Sequence, residues 1–532
     1  MSASVRSLSS SHNVRGLIIG LGVLALTWQV YSWISAGDNR VLLQAGLVFG
    51  LLAITVCILR DWRSGFYLFL GWLFLEDLPR KFLGDSMAIY LTKDFLVGVT
   101  YVSCLIARRH RQFETFRPPF WRALALFFWL ALIQVFNFWA PSLLYGALGM
   151  KLYFWYVPLM FVSYALMRTP EDLRRFLMFS AAFGILISCI GVIQATVNIN
   201  FLNPVNLAPE FVGLGRLERS SPLTHLLVRV PTGVFVSGAR FSQYLEVAWI
   251  VAVGTLGYFL LARVRGVFYV FLAVGTTSAG LMLCGTREAI VLVAASTLVM
   301  TAALLWGTPW KRAQGRRLGK AFQYALLAIG GSLILLVQFA PQSVGANWAF
   351  VSETLSPTGA GSQIHGRIVE YPLTNLEKAF NHPRWVVGYG TGTGSLGVQY
   401  VAGVLHAPEL AIGVENGIGT LIVEMGILGP ILWSAWVIAL LLSAWHIVRT
   451  VRQTAYFPVA FGIFWFAFLL LIPMTYLAMS GYQNFVLNAY LWILVGILFR
   501  LPYLASLPQP APVAPRERFS SRNGFAVSSA SR

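Results

Sequence analysis

Three arginines from separate parts of this chain, Arg240, Arg287 and Arg367, carry the side chain best suited to gripping a phosphate. A guanidinium stays charged at any physiological pH and offers paired N–H donors, so a set of them can hold a diphosphate without a metal. No DxD and no acidic cluster with metal-ligand spacing accompanies them, which favours arginine over Mg²⁺ as the counter-charge. Candidates for proton transfer are His365, His382, His406 and Glu415, all in one polar stretch from about Gln342 to Gly429. Glu415 stands at the mouth of a helix, where the N-terminal partial charge stabilises a carboxylate; setting the helix start is its plainer role. Glu424 falls further along the same helix on the opposite face, a buried carboxylate for which the sequence names no partner.

Three further features have two readings each. The run GYGTGTGSLG (388–397) lacks the Lys-Ser/Thr ending of a P-loop and has no strand before it, leaving a backbone nest for phosphate oxygens or a flexible loop. Lys151 opens an apolar run on its outer side, either snorkelling to headgroups or holding an anion. Arg287 sits at an outer span end, against the usual charge bias, so it requires a local partner; pairing with Glu288 or snorkelling is the alternative.

The elements that must position these residues are membrane spans. Hydrophobic residues make up 57% of the 532-residue chain and charged ones 11%, far below the roughly 25% of soluble domains. Apolar runs near 17–35, 41–59, 65–77, 88–107, 121–139, 147–167, 175–196, 243–262, 266–285, 288–306, 321–339, 417–445, 457–477 and 485–500 predict an all-α polytopic protein of about twelve to fourteen transmembrane helices. The net charge of +19 is concentrated in RDWR (60–63), RRHR (108–111), RTPEDLRR (168–175), RVR (263–265) and KRAQGRRLGK (311–320). These fall on one side when the spans alternate from a cytoplasmic N-terminus, the positive-inside asymmetry, so the charge reports topology rather than a nucleic-acid partner.

The cysteines (Cys57, Cys104, Cys189, Cys284) lie within apolar runs and read as small hydrophobes, not as a disulfide framework or metal site. The first run is long enough to be a retained anchor. The resulting organisation is a cytoplasmic N-terminus (1–16), a transmembrane bundle (17–339) with an external loop (197–242), a large external loop (340–416), C-terminal spans (417–500) and a Pro/Ser-rich, disordered cytoplasmic tail (501–532). EDLPRKFLGDSM (76–87) is polar enough to leave the bilayer. Within the large loop, Leu373, Leu376 and Phe380 form the apolar stripe of a short helix lying on the membrane face.

HGRIVEYPLTNLEKAFNHPRWVVGYGTG, followed by ENGIGTLIVEMGILGPILW, resembles the hallmark region of the O-antigen ligase and O-antigen/exopolysaccharide polymerase family. There an arginine opens a loop helix, a glycine-rich turn follows, and His-Asn, nine residues and Gly-x-x-Gly begin the next span. Here Asn416 is followed after nine residues by Gly426-Ile427-Leu428-Gly429. GTREA (285–289) resembles the family's upstream arginine turn and GVFVSGARFSQYLEVAW the stretch before it, so the likeness covers roughly residues 147–445.

The resemblance implies a GT-C-like integral glycosyltransferase of a bacterial inner membrane. Its reaction would transfer a glycan from an undecaprenyl-diphosphate-linked donor to a glycan or lipid-linked acceptor at the periplasmic face, inverting and metal-independent. No cofactor is implied; membrane lipids and a chain-length regulator are the expected partners. Arg287 and Arg367 match the diphosphate-binding arginines, Arg240 less closely, with Asn416 and Lys151 supporting. Glu415 replaces the motif histidine that helps activate the acceptor. A carboxylate can also accept the hydroxyl proton; His406 and His365 are the alternative bases. The replacement tilts the reading from ligase towards repeat-unit polymerase. A transporter or flippase for the same lipid-linked sugars is the rival, although the runs lack paired Gly/Pro-broken helices with midplane charges.

Overall fold

The computed structural model describes residues 39–83, 87–110, 113–204, 217–309, 312–356, 364–396, 398, 401–402 and 413–507. The expected first span (17–35), His406 and the tail beyond Leu507 lie outside the described residues. The chain runs through α1 (Asn39–Arg60), α2 (Trp62–Leu75), α3 (Asp77–Leu83), α4 (Met87–Arg109), α5 (Trp121–Val135), α6 (Leu143–Phe154), α7 (Leu159–Leu166) and α8 (Pro170–Thr196). A ribbon of β1 (Glu218–Ser220) and β2 (Leu227–Arg229) pairs antiparallel with Arg219 opposite Val228. Then come α9 (Gly238–Ala262), α10 (Val267–Leu283), α11 (Arg287–Gly307), α12 (Arg312–Phe339) and α13 (Pro341–Leu355). The last elements are α14 (Tyr371–Asn381), α15 (Gly417–Met425), α16 (Leu428–Thr450), α17 (Phe457–Leu469) and α18 (Phe485–Ser506).

Apart from the ribbon this is a helical, multi-pass membrane protein. Among the described residues seven helices are long and apolar enough to cross a bilayer, or eight if one sharply bent pair is counted. The long helices alternate in direction. At one end Arg174 donates to the Arg265 carbonyl, Arg452 to the Trp306 carbonyl, and Arg500 to Met167 O and Glu114. The other end gathers the ribbon and the starts of α9, α11, α16 and α18. Of the apolar stretch of α18, 89% is buried, against 22% for α11, so α18 is the central post and α11 a peripheral helix.

The count falls short of twelve to fourteen partly because apolar runs are interrupted. The expected span 147–167 splits into α6 and α7 at Pro158, which lacks an N–H and blocks the preceding turn. The expected span 417–445 splits at Gly426, whose backbone (φ +69°) leaves the helix so that Ile427 N can donate to Val386 O at 3.2 Å. The run 457–477 survives Pro473 by widening into a π-helical turn over Leu470–Met474. After α12, Pro341 ends one helix and starts the next at an angle of 112°. The turned helix α13 then lies on the ribbon, where Glu353 accepts from Leu223 N (2.7 Å) and Thr224 Oγ1 (2.6 Å).

Within the segment 76–87, residues 76–83 do not simply leave the bundle as their polarity predicts. Its α3 folds inward and buries Asp77, Arg80 and Lys81 to 1%, 4% and 1% exposure. The cost of desolvating them is offset by full pairing: Arg80 and Arg240 share Asp77, and Lys81 donates to Asn203 Oδ1 (2.8 Å), Thr232 Oγ1 (2.8 Å) and Gly233 O (2.9 Å). Burial pushes the Lys81 ammonium down to about 7, with Asp77 opposing the shift. The unfolded chain holds that proton until about 10.5, so between the two values the unfolded state binds more protons and stability rises with pH. The unfolding temperature of the detergent-solubilised protein is therefore expected to climb from about pH 7 to about pH 9. Lys81→Met should remove that climb; an unchanged slope in the variant would refute the assignment.

Candidate functional site

The first wall of the site is the turn between α10 and α11. Gly285 ends the turn, Thr286 sits at the helix boundary, and Arg287 becomes the first residue of α11. Cys284 Sγ lies 3.0 Å from Thr286 Oγ1, fixing the turn from inside. The ribbon covers it, and Arg219 extends from β1 to donate to Gly285 O at 3.5 Å. Arg287 is half-buried, and the charges of Arg367 and Arg219 both act on it, as does that of Glu288. Arg287 thus lies within electrostatic range of two further guanidiniums from distant segments. Like charges gathered in this way create a strong local preference for an anion.

Arg367 belongs to the second wall, a π-helical turn over Gly366–Glu370 that runs straight into α14. Its cause is local. Pro372 has no N–H and its ring would strike the carbonyl four residues back, so the turn widens and Tyr371 N reaches Gly366 O instead. This leaves Arg367 exposed, its guanidinium 5.3 Å from the Tyr371 ring.

The third wall is the start of α15. Tyr371 donates its hydroxyl hydrogen bond to Glu415, whose side chain is exposed. Burial and the Glu415 carboxylate push the Tyr371 hydroxyl up to about 12, so it remains a donor at every physiological pH. Two buried asparagines hold the pair in register. Asn375 Nδ2 donates to Tyr371 O (2.8 Å) while its Oδ1 accepts from Glu415 N (3.0 Å). Asn416 caps α15 by accepting from Gly419 N (2.7 Å), and its Nδ2 donates to Pro372 O (3.1 Å). Asn416 is therefore a positioning residue, 1% exposed, and Glu415 is left free of the capping task.

Other expected residues are elsewhere. Arg240 does not join the Arg287–Arg367 cluster; it is held by Asp77 at 2.9 Å and lies 4.9 Å from the Phe485 ring. The inward fold of α3, which puts a buried carboxylate beside it, is the reason. Lys151 is not a bare anion ligand either, because Asp94 pairs with it at 2.6 Å. His365 is exposed and paired with Glu370 at 3.0 Å, and His382 stacks edge-on with Tyr389. In α14, Pro372, Asn375 and Ala379 form the face buried against the protein, and Leu373 and Phe380 of the apolar stripe are exposed on the outside.

Over its described residues, 388–396, the glycine-rich run is neither a phosphate nest nor a flexible loop. Its amides are committed to the protein: Tyr389 N donates to Val423 O (2.7 Å), Gly390 N to Glu424 O (3.0 Å) and Leu396 N to Gln483 Oε1 (2.7 Å). A Cβ on Gly392 would stand 1.9 Å from Tyr145 O, so the glycines serve close backbone approach. The carboxyl group they embrace is the protein's own. Glu424 accepts from Gly394 N (3.1 Å), Ser395 Oγ (2.7 Å) and Tyr153 OH (2.9 Å), which are the partners the sequence left unnamed.

Tyr371 and Asn375 were missed by sequence reasoning. Their spacing of one helical turn, beside Pro372 and on the face opposite Leu373, was the available signal. Neither models of known families nor curated proteins match this chain.

Proposed function

We propose that this protein is a membrane glycosyltransferase, a polysaccharide polymerase or ligase, that passes a glycan from undecaprenyl diphosphate to an acceptor sugar hydroxyl. The observation that carries the reading is that Arg287 lies within electrostatic range of Arg367 and Arg219, while Arg367 stands 5.3 Å from the ring of Tyr371, whose hydroxyl is bonded to Glu415. The acceptor oxygen attacks the anomeric carbon from the face opposite the diphosphate. The new C–O bond forms as the old one breaks, with inversion, and the electron pair leaves on the diphosphate oxygen. Arg287 and Arg367 neutralise that developing charge, the term that usually dominates such catalysis. Glu415 takes the hydroxyl proton, and Tyr371 sets the direction in which its carboxylate points.

The test is reconstitution of the purified protein in liposomes with a lipid-linked repeat unit, reading glycan length on a gel. Elongation is expected. Glu415→Gln should lower its rate by about a hundredfold or more, the range for a lost general base. Tyr371→Phe, which keeps the carboxylate but frees it, should cost about tenfold. Full activity in Glu415→Gln would remove its role as base. Movement of the lipid-linked sugar across the bilayer with no change in glycan length would replace the reading with a transporter.

A further inference from the structure

The helix α5 is too short for the membrane it enters. It starts at the Arg500 end of the bundle, where Phe120 packs on Phe499 at 6.0 Å, and finishes against the glycine-rich run. Its 15 residues cover about 22 Å, short of the roughly 30 Å of a hydrocarbon core. Leu126, Trp129 and Ile133 are exposed at helical spacing, and Phe136 continues their stripe past the last turn. The neighbouring α16, whose Trp433 packs on Phe127, carries a matching exposed stripe of Leu428, Ile431, Ile438 and Leu442. Both stripes face outward from a bundle that crosses a bilayer, so lipid tails cover them. Beyond Phe136 the chain adds Phe138, 99% exposed, and Trp139, 53% exposed, with the exposed Val386 and Val387 alongside. They are held there by Gln134 Nε2, which donates to Val387 O (2.8 Å), and Asn137 Nδ2, which donates to Gly388 O (3.1 Å).

The backbone beneath these side chains is satisfied without water. Phe136 N donates to Ile133 O (3.1 Å), Asn137 N to Gln134 O (3.2 Å), Trp139 N to Asn137 Oδ1 (3.0 Å) and Ala140 N to Asn137 O (3.0 Å). Across from them Val386 O accepts from Ile427 N at 3.2 Å. A surface loop can leave such groups to solvent, whereas a loop among lipid tails must bond them within the protein. Arg384 lays its guanidinium 3.2 Å over the Trp139 ring and is paired with no carboxylate among the described residues. A cation stacked on an indole at an apolar edge suits the headgroup level, where the ring sits in the interface and the charge meets phosphate.

We infer that this edge is a membrane wedge: Phe136, Phe138, Trp139, Val386 and Val387 lie within the phospholipid leaflet at the site end of the bundle, with Arg384 at its headgroups. The same turn holds Val387 O and Gly388 O, and Gly390 N holds Glu424 O, so the wedge ties the glycine-rich run and α15 behind it to that leaflet. It does not depend on the transfer chemistry.

Fluorescence quenching on the full-length protein in phosphatidylcholine nanodiscs tests it, with a solvatochromic fluorescent amino acid in place of Phe138 and, as the reference, in place of the exposed Glu377. The quenchers are lipids brominated high on the acyl chain and aqueous iodide. Emission at Phe138 is expected to be blue-shifted and quenched severalfold more by the brominated lipid than emission at Glu377, while iodide reverses the order. Equal iodide quenching at the two positions would overturn the wedge. Shielding from both quenchers would overturn it as well, since a protein partner or a second copy would then cover the edge. Iodide quenching at Phe138 that a dextran oligosaccharide suppresses would assign the edge to sugar and refute the bilayer. The same label at Val386 carries the test independently if the protein labelled at Phe138 does not fold. Phe138→Asp with Trp139→Asp, which keeps the hydrogen bonds of the turn, should remove most of the lipid quenching at Val386; full quenching there would refute the part given to the aromatic rings.

Discussion

Replacing Arg287 or Arg367 by alanine is expected to lower the rate of polymer formation from a lipid-linked repeat by about 10²–10³, the loss seen when a preorganised charge facing a leaving group is removed. Both guanidiniums lie within Coulomb range of each other, and Arg219 adds a third charge, so the cluster is poised for an anion before any substrate arrives. Removing one leaves the diphosphate oxygens with a weaker field as the C–O bond breaks. Arg→Lys at either position should recover part of the rate, because a point charge remains while bidentate geometry is lost. The double alanine variant should be little worse than the poorer single one, as the two act on the same group. Arg367 is exposed and Arg287 only half-buried, so stability should scarcely change. Initial rates in liposomes, with unfolding temperatures as the control, decide the matter; wild-type-like rates from both single variants would end the proposed mechanism.

Glu424→Leu should destabilise the protein by roughly 3 kcal/mol or more, because three buried donors lose their acceptor at about 1–3 kcal/mol each. Those donors are the Tyr153 hydroxyl, the Ser395 hydroxyl and the Gly394 amide, and they join α6, the glycine-rich run and α15 at a point with no access to water. Glu424→Gln keeps one acceptor oxygen and should cost less; Tyr153→Phe, which removes a single donor, should cost about 1 kcal/mol. Thermal unfolding in detergent orders the series. Activity should fall in step with stability, since Glu424 supports the site and does not touch substrate. A Glu424→Gln protein of full stability and no activity would contradict that division.

Much of the scaffold was legible because hydropathy depends on composition alone, and the runs at 175–196, 243–262, 288–306 and 485–500 need no knowledge of neighbours. Arg287, Arg367 and Glu415 were also legible, as polar groups at span ends must face one another or water. Partners were harder to see. The pairing of Arg240 with Asp77, which follows from α3 folding inward, is a contact across 163 positions that no local pattern encodes. The same holds for Glu424 and Tyr153, 271 positions apart. The two broken spans failed for another reason. Pro158 and Gly426 sit in runs oily enough to cross, and only the backbone groups they release, or the Val386 carbonyl that fills the gap, make breaking favourable. Tyr371 and Asn375 escaped notice because the apolar stripe of Leu373, Leu376 and Phe380 defined the helix, while the hydrogen bonds that matter run along its other side.

The short helix α15 is fastened at both ends, by the Asn416 cap at its start and by Gly426 against Val386 at its finish. It therefore acts as a ruler. One added or deleted residue would turn one end against the other by about 100° and slide it by about 1.5 Å. Either Glu424 would leave its three donors or Glu415 would swing away from Tyr371. The interval from Asn416 to Gly426 is thus a phase as much as a length, and its residue count is as constrained as the identity of Glu424 within it.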